Sequence, residues 1–180
     1  MGKSWTGLRK ELEEDFLCES LRGRVHYFLT HYHGASDNYG RFCVRVDNTE
    51  YAMANPYAYY VKGYLQYLTK QEPDIPEREW TDKGYLYDEE NNAIEDEIIK
   101  RSINNGDFDI YNITDAFREY KELPIAKSIV SENPIVRMFA VMNRRIGKRT
   151  LEKLAKQIDI QPKWLKFFYK LRLDSENIDY

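Results

Sequence analysis

Residues 134–173 read PIVRMFAVMNRRIGKRTLEKLAKQIDIQPKWLKFFYKLRL, and their apolar spacing decides what kind of chain this is. Apolar side chains recur at Ile135, Met138, Phe139, Met142 and Ile146, then at Leu151, Leu154, Ala155 and Ile158. Steps of three and four residues place each set on one side of a helix, so the segment predicts helices with one face turned to a core. Pro134 and Pro162 suit first helical turns, where a missing N–H is no loss. Gly147 reads either as a helix end or as a tolerated interior glycine. Eleven Lys/Arg stand here against two acids, Glu152 and Asp159.

Outward from this stretch the pattern changes period. Trp5, Leu8, Leu12, Phe16 and Leu17 repeat at helical spacing, with Arg9, Lys10, Glu13 and Glu14 opposite. Ser4 is the candidate cap, and the helix should end before Gly23. Arg24–His33 is rich in Val, Tyr, Phe and Thr and reads as a strand, followed by a loop at Gly34–Gly40. In Arg41–Val46 the residues Phe42, Val44 and Val46 alternate with Arg41, Cys43 and Arg45, which is the period of a strand with one wet face. Asp47-Asn48 tolerates positive φ and predicts a two-residue hairpin turn, with Thr49–Ala54 returning as a third strand. That turn pairs Val46 with Thr49, Val44 with Tyr51 and Phe42 with Met53. The expected buried face is then Phe28, Phe42, Val44, Val46, Tyr51 and Met53.

Three strands alone would leave that face wet. Asn55-Pro56 starts a helix whose stripe of Tyr57, Tyr60, Val61, Tyr64 and Leu68 is the expected cover. The fold class is therefore α+β: a small three-stranded antiparallel meander covered by helices, followed by a mostly helical C-terminal half. The proline-bearing stretch Glu72–Pro76 divides residues 1–71 from residues 77–180, unless the whole folds as one domain. Trp80–Tyr87 gives no assignment. Asp88–Asn104 predicts an acidic helix ended by Asn104-Asn105-Gly106. Thr114 is the expected cap of a short helix holding Ala116, Phe117 and Tyr120, and Leu123–Val130 predicts another.

Composition limits function. With 180 residues, 42% hydrophobic and 14% aromatic content, the chain can build a real core. Its formal charge of −3 is unevenly spread: residues 72–121 hold fifteen acids and six bases, against the two acids and eleven bases of residues 134–173. Two cysteines form no disulfide framework and no metal-binding pair of neighbouring thiols. No apolar run is long enough for a membrane span, and the charged amphipathic start does not read as a signal peptide. A reducing cytoplasm is the expected setting, with no membrane association.

All three histidines lie close together, at His26, His31 and His33. If the first two strands pair around the Gly34–Gly40 loop so that Cys43 faces His31, two imidazoles and a thiolate come together. A structural zinc site needs a fourth ligand, so the expectation is surface histidines and no bound metal or other cofactor. No nucleophile elbow, phosphate-binding glycine loop or dinucleotide fingerprint is present. The strongest functional feature is the basic cluster. On a continuous helix, Arg137, Arg144 and Lys148 would form one stripe, and Arg145, Arg149, Lys153 and Lys156 another. Such a surface binds phosphates with little regard to base sequence. Alternatively it docks on the acidic segment 72–121.

Two shorter patterns overlap the cluster. Asn133-Pro134, Val136, Arg137 and Ala140 resemble the inter-helix turn of a HEAT-type repeat, of which there is no second copy. Leu154-Ala155, Ile158, Ile160, Leu165 and Phe168 resemble the apolar spacing of a helix-turn-helix, with Asp159 at the usual glycine. Its second helix would carry Lys163, Lys166 and Lys170. At larger scale, WTGLRKELE (5–13), RGRVHYFLTHY (22–32), VDNTEY (46–51), NRRIGKRTL (143–151) and PKWLKFFYKLRL (162–173) resemble a family of small bacterial proteins of no established activity. That resemblance implies a bacterial cytoplasmic setting and assigns no site residues. The expected function is non-catalytic binding of nucleic acid or an acidic protein. The candidate contacts are Arg137, Arg144, Arg145, Lys148, Arg149, Lys153, Lys163, Lys166 and Lys170. The alternative is an enzyme of unrecognised type, with its site on the open sheet face near His31 and His33.

Overall fold

The computed structural model describes residues 5–31, 40–54, 80–81, 84–85, 89–107 and 109–180. Its sheet is built around the expected turn. Asp47 and Asn48 both have positive φ, 48° and 68°, the backbone of a two-residue hairpin whose twist matches its strands. β1 (Val25–His31), β2 (Gly40–Val46) and β3 (Thr49–Ala54) form an antiparallel sheet in the order β1-β2-β3. The fold is α+β, as the sequence predicts.

Two register details differ from expectation. Val46 faces Thr49 and Val44 faces Tyr51, but Phe42 faces Ala54 and not Met53. One extra residue on β3 makes a bulge, at which Ala52 takes φ +46°. The bulge turns Ala54, 3% exposed, into the core position. On the other side, His31 faces Gly40 and Cys43 faces Phe28, so the His31–Cys43 pair is not formed. The parity of this register puts Val25 and Tyr27 on the same face as Val46 and Val44, and both are buried. The expected pairing would have turned Phe28 and Thr30 inward in their place; the observed register is displaced from it by three residues, and an odd displacement exchanges every side chain between faces. Phe28 accordingly leaves the expected core set. It lies on the second face beneath the Arg45 guanidinium, 4.5 Å from its ring centroid. That second face is not open at Cys43, which is fully buried.

The N-terminal helix begins as α1 (Trp5–Lys10) and widens into a π-helical segment, Glu11–Phe16. A short 3₁₀ turn follows at Glu19–Leu21. A two-residue ladder forms at β4 (Trp80–Thr81) and β5 (Gly84–Tyr85), where the sequence gives no assignment. The acidic helix α2 (Glu89–Asn105) ends as the Asn-Asn-Gly signal predicts. Gly106 has φ +88°, its N–H bonds Ile103 O at 3.1 Å, and the Asp107 N–H bonds Ser102 O at 2.9 Å. A Cβ on Gly106 would also lie 3.2 Å from Trp164 Cδ1. Gly106→Ala should therefore lower stability by about 1–2 kcal/mol through the left-handed backbone, more if Trp164 cannot yield. A thermal melt equal to wild type would show that the helix ends otherwise.

α3 (Ile110–Glu122) starts earlier than expected. Asp109 and Asn112 bond each other's backbone N–H at 2.9 Å, a reciprocal capping box that satisfies two orphan donors. Thr114 is thus not the cap. It sits one turn inside, its hydroxyl donating to Tyr111 O. The earlier start lets Ile110 and Ile113 join Ala116, Phe117 and Tyr120 on one buried stripe. α4 (Ile125–Ser128) follows.

The stretch 134–173 folds as three helices, α5 (Pro134–Val141), α6 (Lys148–Ala155) and α7 (Lys163–Ser175). Asn133 caps α5, its side chain accepting from Ile135 N. Gly147 proves to be the N-cap of α6. The two arginine stripes expected of a continuous helix do not form, because Arg144 and Arg145 lie in the turn between α5 and α6.

The buried sheet face packs on these C-terminal helices: Tyr27 lies 6.0 Å from Phe139, and Tyr51 stacks on Phe167 at 3.9 Å. Phe139 also meets Phe117 and Tyr120, at 5.6 and 5.7 Å, and one apolar cluster runs from Leu12 to Ile178. The Ser4 cap, the Gly34–Gly40 loop except Gly40, the helix expected from Asn55 and the Glu72–Pro76 boundary lie outside the described residues.

Candidate nucleic-acid interface

The turn between α5 and α6 carries the sequence Asn143-Arg144-Arg145-Ile146-Gly147, and it is anchored at each end. At the first, the chain at residues 16–18 runs antiparallel to it: Cys18 N donates to Met142 O at 2.9 Å and Arg144 N to Phe16 O at 2.8 Å. Asn143 is 1% exposed, and both ends of its amide are engaged. Its Nδ2 donates to the Tyr120 hydroxyl, and its Oδ1 accepts from Arg145 N at 2.7 Å and Arg145 Nε at 3.3 Å. Burial pushes the Tyr120 phenol above its ordinary pKa, against the hydrogen bonds from Asn143 and Arg145 that act the other way.

At the second end, the buried guanidinium of Arg172 donates from Nη2 to Ile146 O at 3.3 Å. Its Nη1 bonds Ser20 Oγ at 3.0 Å and pairs with Glu176. For Glu176, burial raises the carboxyl pKa, but Ser20 and Arg172 outweigh it and hold the group below its ordinary value. A buried arginine needs such partners, because an unpaired charge out of water costs several kcal/mol.

The candidate residues divide by what they touch. Arg144, Lys148, Arg149, Lys153 and Lys156 are exposed, and their side chains have no hydrogen-bond or ion-pair partner among the described residues. Arg145 is exposed at the edge of the buried cluster, its guanidinium 5.8 Å from the Phe16 ring centroid. Arg137 is not presented to a ligand. It clamps two loops, donating to Gln161 Oε1 at 3.1 Å, to Glu132 O at 3.0 Å and to Ser131 O. Burial lowers its pKa, opposed by Tyr169. On α7, Lys163 is exposed, Lys166 lies 3.8 Å from Asp159, and Lys170 sits 5.4 Å from the Tyr180 ring centroid.

Only part of the acidic segment lies among the described residues. Its described ion pairs are Arg101–Glu97, Arg118–Asp115, Lys100–Glu132 and Lys121–Glu11. None of them involves the five exposed cations.

The connection from α6 to α7 spans residues 156–162, longer than the three or four residues of a helix-turn-helix turn. α7 buries Leu165, Phe168, Tyr169, Leu171, Arg172 and Leu173. Its other aromatics are occupied too: Trp164 Nε1 donates to Ile103 O at 2.8 Å, and Phe167 lies on Tyr51. Of the histidines, His26 lies 3.5 Å from Glu13 and its Nε2 lies 3.2 Å from Gly23 O. His33 and the side chain of His31 lie outside the described residues.

Sequence spacing does not single out Asn143, Tyr120 or Arg172. The one signal that points to them is a polar residue inside an apolar run, as with Asn143 after Val141-Met142 and Arg172 between Leu171 and Leu173.

Fold and site together define an α+β protein that displays an anchored basic turn and a short basic helix on a shared sheet–helix core. The chain belongs to the SF0329 protein family, whose model matches residues 4–173. No curated protein and no solved structure matches it. No described helix is long and apolar enough to cross a membrane.

Proposed function

We propose that this chain is a non-catalytic binding protein of the bacterial cytoplasm that engages the phosphates of nucleic acid through the α5–α6 turn and α6. The observation that supports this reading is the set Arg144, Lys148, Arg149, Lys153 and Lys156, exposed and without acid partners among the described residues, beside a turn held by buried polar groups. Cations that only solubilise a surface need no such anchoring. Cations that meet a polyanion gain from an anchored backbone, because less loop entropy is lost on binding.

Phosphate contacts release counterions, so affinity should fall steeply with salt and vary little with base sequence. Arg144→Ala with Lys148→Ala should flatten the slope of log K against log salt by up to about two units, roughly 0.9 for each duplex phosphate that is no longer neutralised. Fluorescence anisotropy at low and moderate salt measures this. A folded protein that binds no duplex, single-stranded DNA or RNA at low salt refutes the nucleic-acid reading and leaves an acidic protein as the occupant of the surface.

A further inference from the structure

We infer that the nucleic acid this surface fits is a duplex, gripped by its backbone, and not a single strand. The inference rests on the binding function proposed above and narrows its ligand.

The first observation is the shape in which the charges are held. α6 buries Leu151 and Leu154, and Ile158 beyond its end is buried as well. Arg149, Lys153 and Lys156 lie on the exposed side. Separations of four and three residues set them on one stripe about 10 Å long. Lys148 lies at the side of this stripe, about 100° around the helix from Arg149, with the exposed acid Glu152 between them, and Arg144 precedes the helix in the turn. The N-terminus of α6 is held through Gly147 O, which accepts from Thr150 N at 2.9 Å and Leu151 N at 3.1 Å. The preceding carbonyl, Ile146 O, is held by Arg172. Arg144, Arg145, Lys148 and Arg149 are thus exposed on either side of the buried Ile146, on a backbone tied at both ends of the turn. A preset row of charges suits a partner whose phosphates are also preset. A duplex meets that condition, whereas a single strand must be ordered as it binds.

The second observation concerns the bases. Proteins that hold single strands combine a basic groove with aromatic faces on which bases stack, each worth about 1–3 kcal/mol. The basic stretch 163–170 interleaves lysines with Trp164, Phe167, Phe168 and Tyr169, as a stacking platform would require. All four rings are committed inward. Trp164 donates to Ile103 O and meets Phe168 edge-on, Phe167 is stacked on Tyr51, and Phe168 and Tyr169 are each 1% exposed. Phe168 and Tyr169 are core and Trp164 and Phe167 are half-buried and already engaged, so within residues 163–170 the lysines offer charge to phosphates and no free ring to bases. Backbone-only binding favours the form with the denser charge. Duplex DNA carries one charge per roughly 1.7 Å of axis and returns about 0.9 counterion per neutralised phosphate, against about 0.7 for a single strand.

The test titrates the full chain at low salt against a mixed-sequence DNA duplex and against each of its separated strands, by anisotropy. The duplex should bind about tenfold or more tightly than either strand, with a steeper salt slope. Arg149→Ala with Lys153→Ala should weaken duplex binding and flatten its slope by up to about 1.8, while circular dichroism and the melting curve stay those of wild type. Equal or tighter binding of the single strands would overturn the duplex assignment and leave the nucleic-acid reading standing. Binding to neither form would overturn both.

Discussion

Val44→Asp should remove most of the stability of the fold, on the order of 5 kcal/mol, from lost apolar burial plus the cost of an unpaired buried charge. Val44 is fully buried at the centre of β2, opposite Tyr27 on one side and Tyr51 on the other. Small domains are stable by about 5–15 kcal/mol, so the variant would be largely unfolded or close to it. The defect should also depend on pH. A carboxyl buried without a partner has its folded pKa raised, so the folded state holds a proton that the unfolded state has released. The penalty is therefore smallest below the ordinary aspartate pKa of about 3.9 and grows as pH rises above it. Urea unfolding of wild type and variant at acid and neutral pH measures both effects. A variant as stable as wild type at neutral pH would mean that Val44 faces solvent and that the strand alternation has been assigned to the wrong side.

Phe139→Ala should cost about 3–5 kcal/mol, the range for deleting a large aromatic from a packed core. Its ring is the common neighbour of Tyr27 on the sheet and of Phe117 and Tyr120 on α3, all within 6.0 Å between centroids. A cavity there loosens the sheet and the helical half together, so unfolding should remain one transition with a lowered midpoint. Tyr120 also holds Asn143, so the basic turn should soften with it. A loss below about 1 kcal/mol would show that the three rings do not share a core in solution, since surface changes are usually within about 0.5 kcal/mol.

The meander and the helices of residues 134–173 were legible because their signals are local. Alternation in Arg41–Val46, two residues tolerant of positive φ at the turn, Pro134 behind an Asn cap and Gly106 behind Asn-Asn each specify backbone within a few residues. The α+β class follows from those pieces. The errors arose where two local solutions compete. Thr114 is a plausible cap, but Asp109 and Asn112 satisfy each other and give a longer apolar stripe. Phe42 would pair with Met53 in a regular ladder, but the bulge at Ala52 brings Ala54 into the core. Parity between β1 and β2 is invisible without the closing loop, and it decided that Tyr27, not Phe28, joins the core.

The basic cluster could be counted in the sequence, but its division into contacts and supports could not. Arg137, Arg144 and Arg172 have the same chemistry, and all lie in one helical stretch. Only packing sends the first into a loop clamp, the second into solvent and the third into a buried network with Ser20 and Glu176. By itself the sequence determined the three-stranded meander with the turn that joins β2 to β3, the helical character of residues 134–173, and the concentration of positive charge toward the C-terminal end. The tertiary structure alone decided which face of β1 is buried, which aromatics of α7 are core, and which cations have no acid partner among the described residues. The physical reason is range. Backbone preference and periodicity act over a few residues, whereas burial and pairing depend on segments more than a hundred residues apart, such as Ser20 and Arg172, that meet only once the chain has folded.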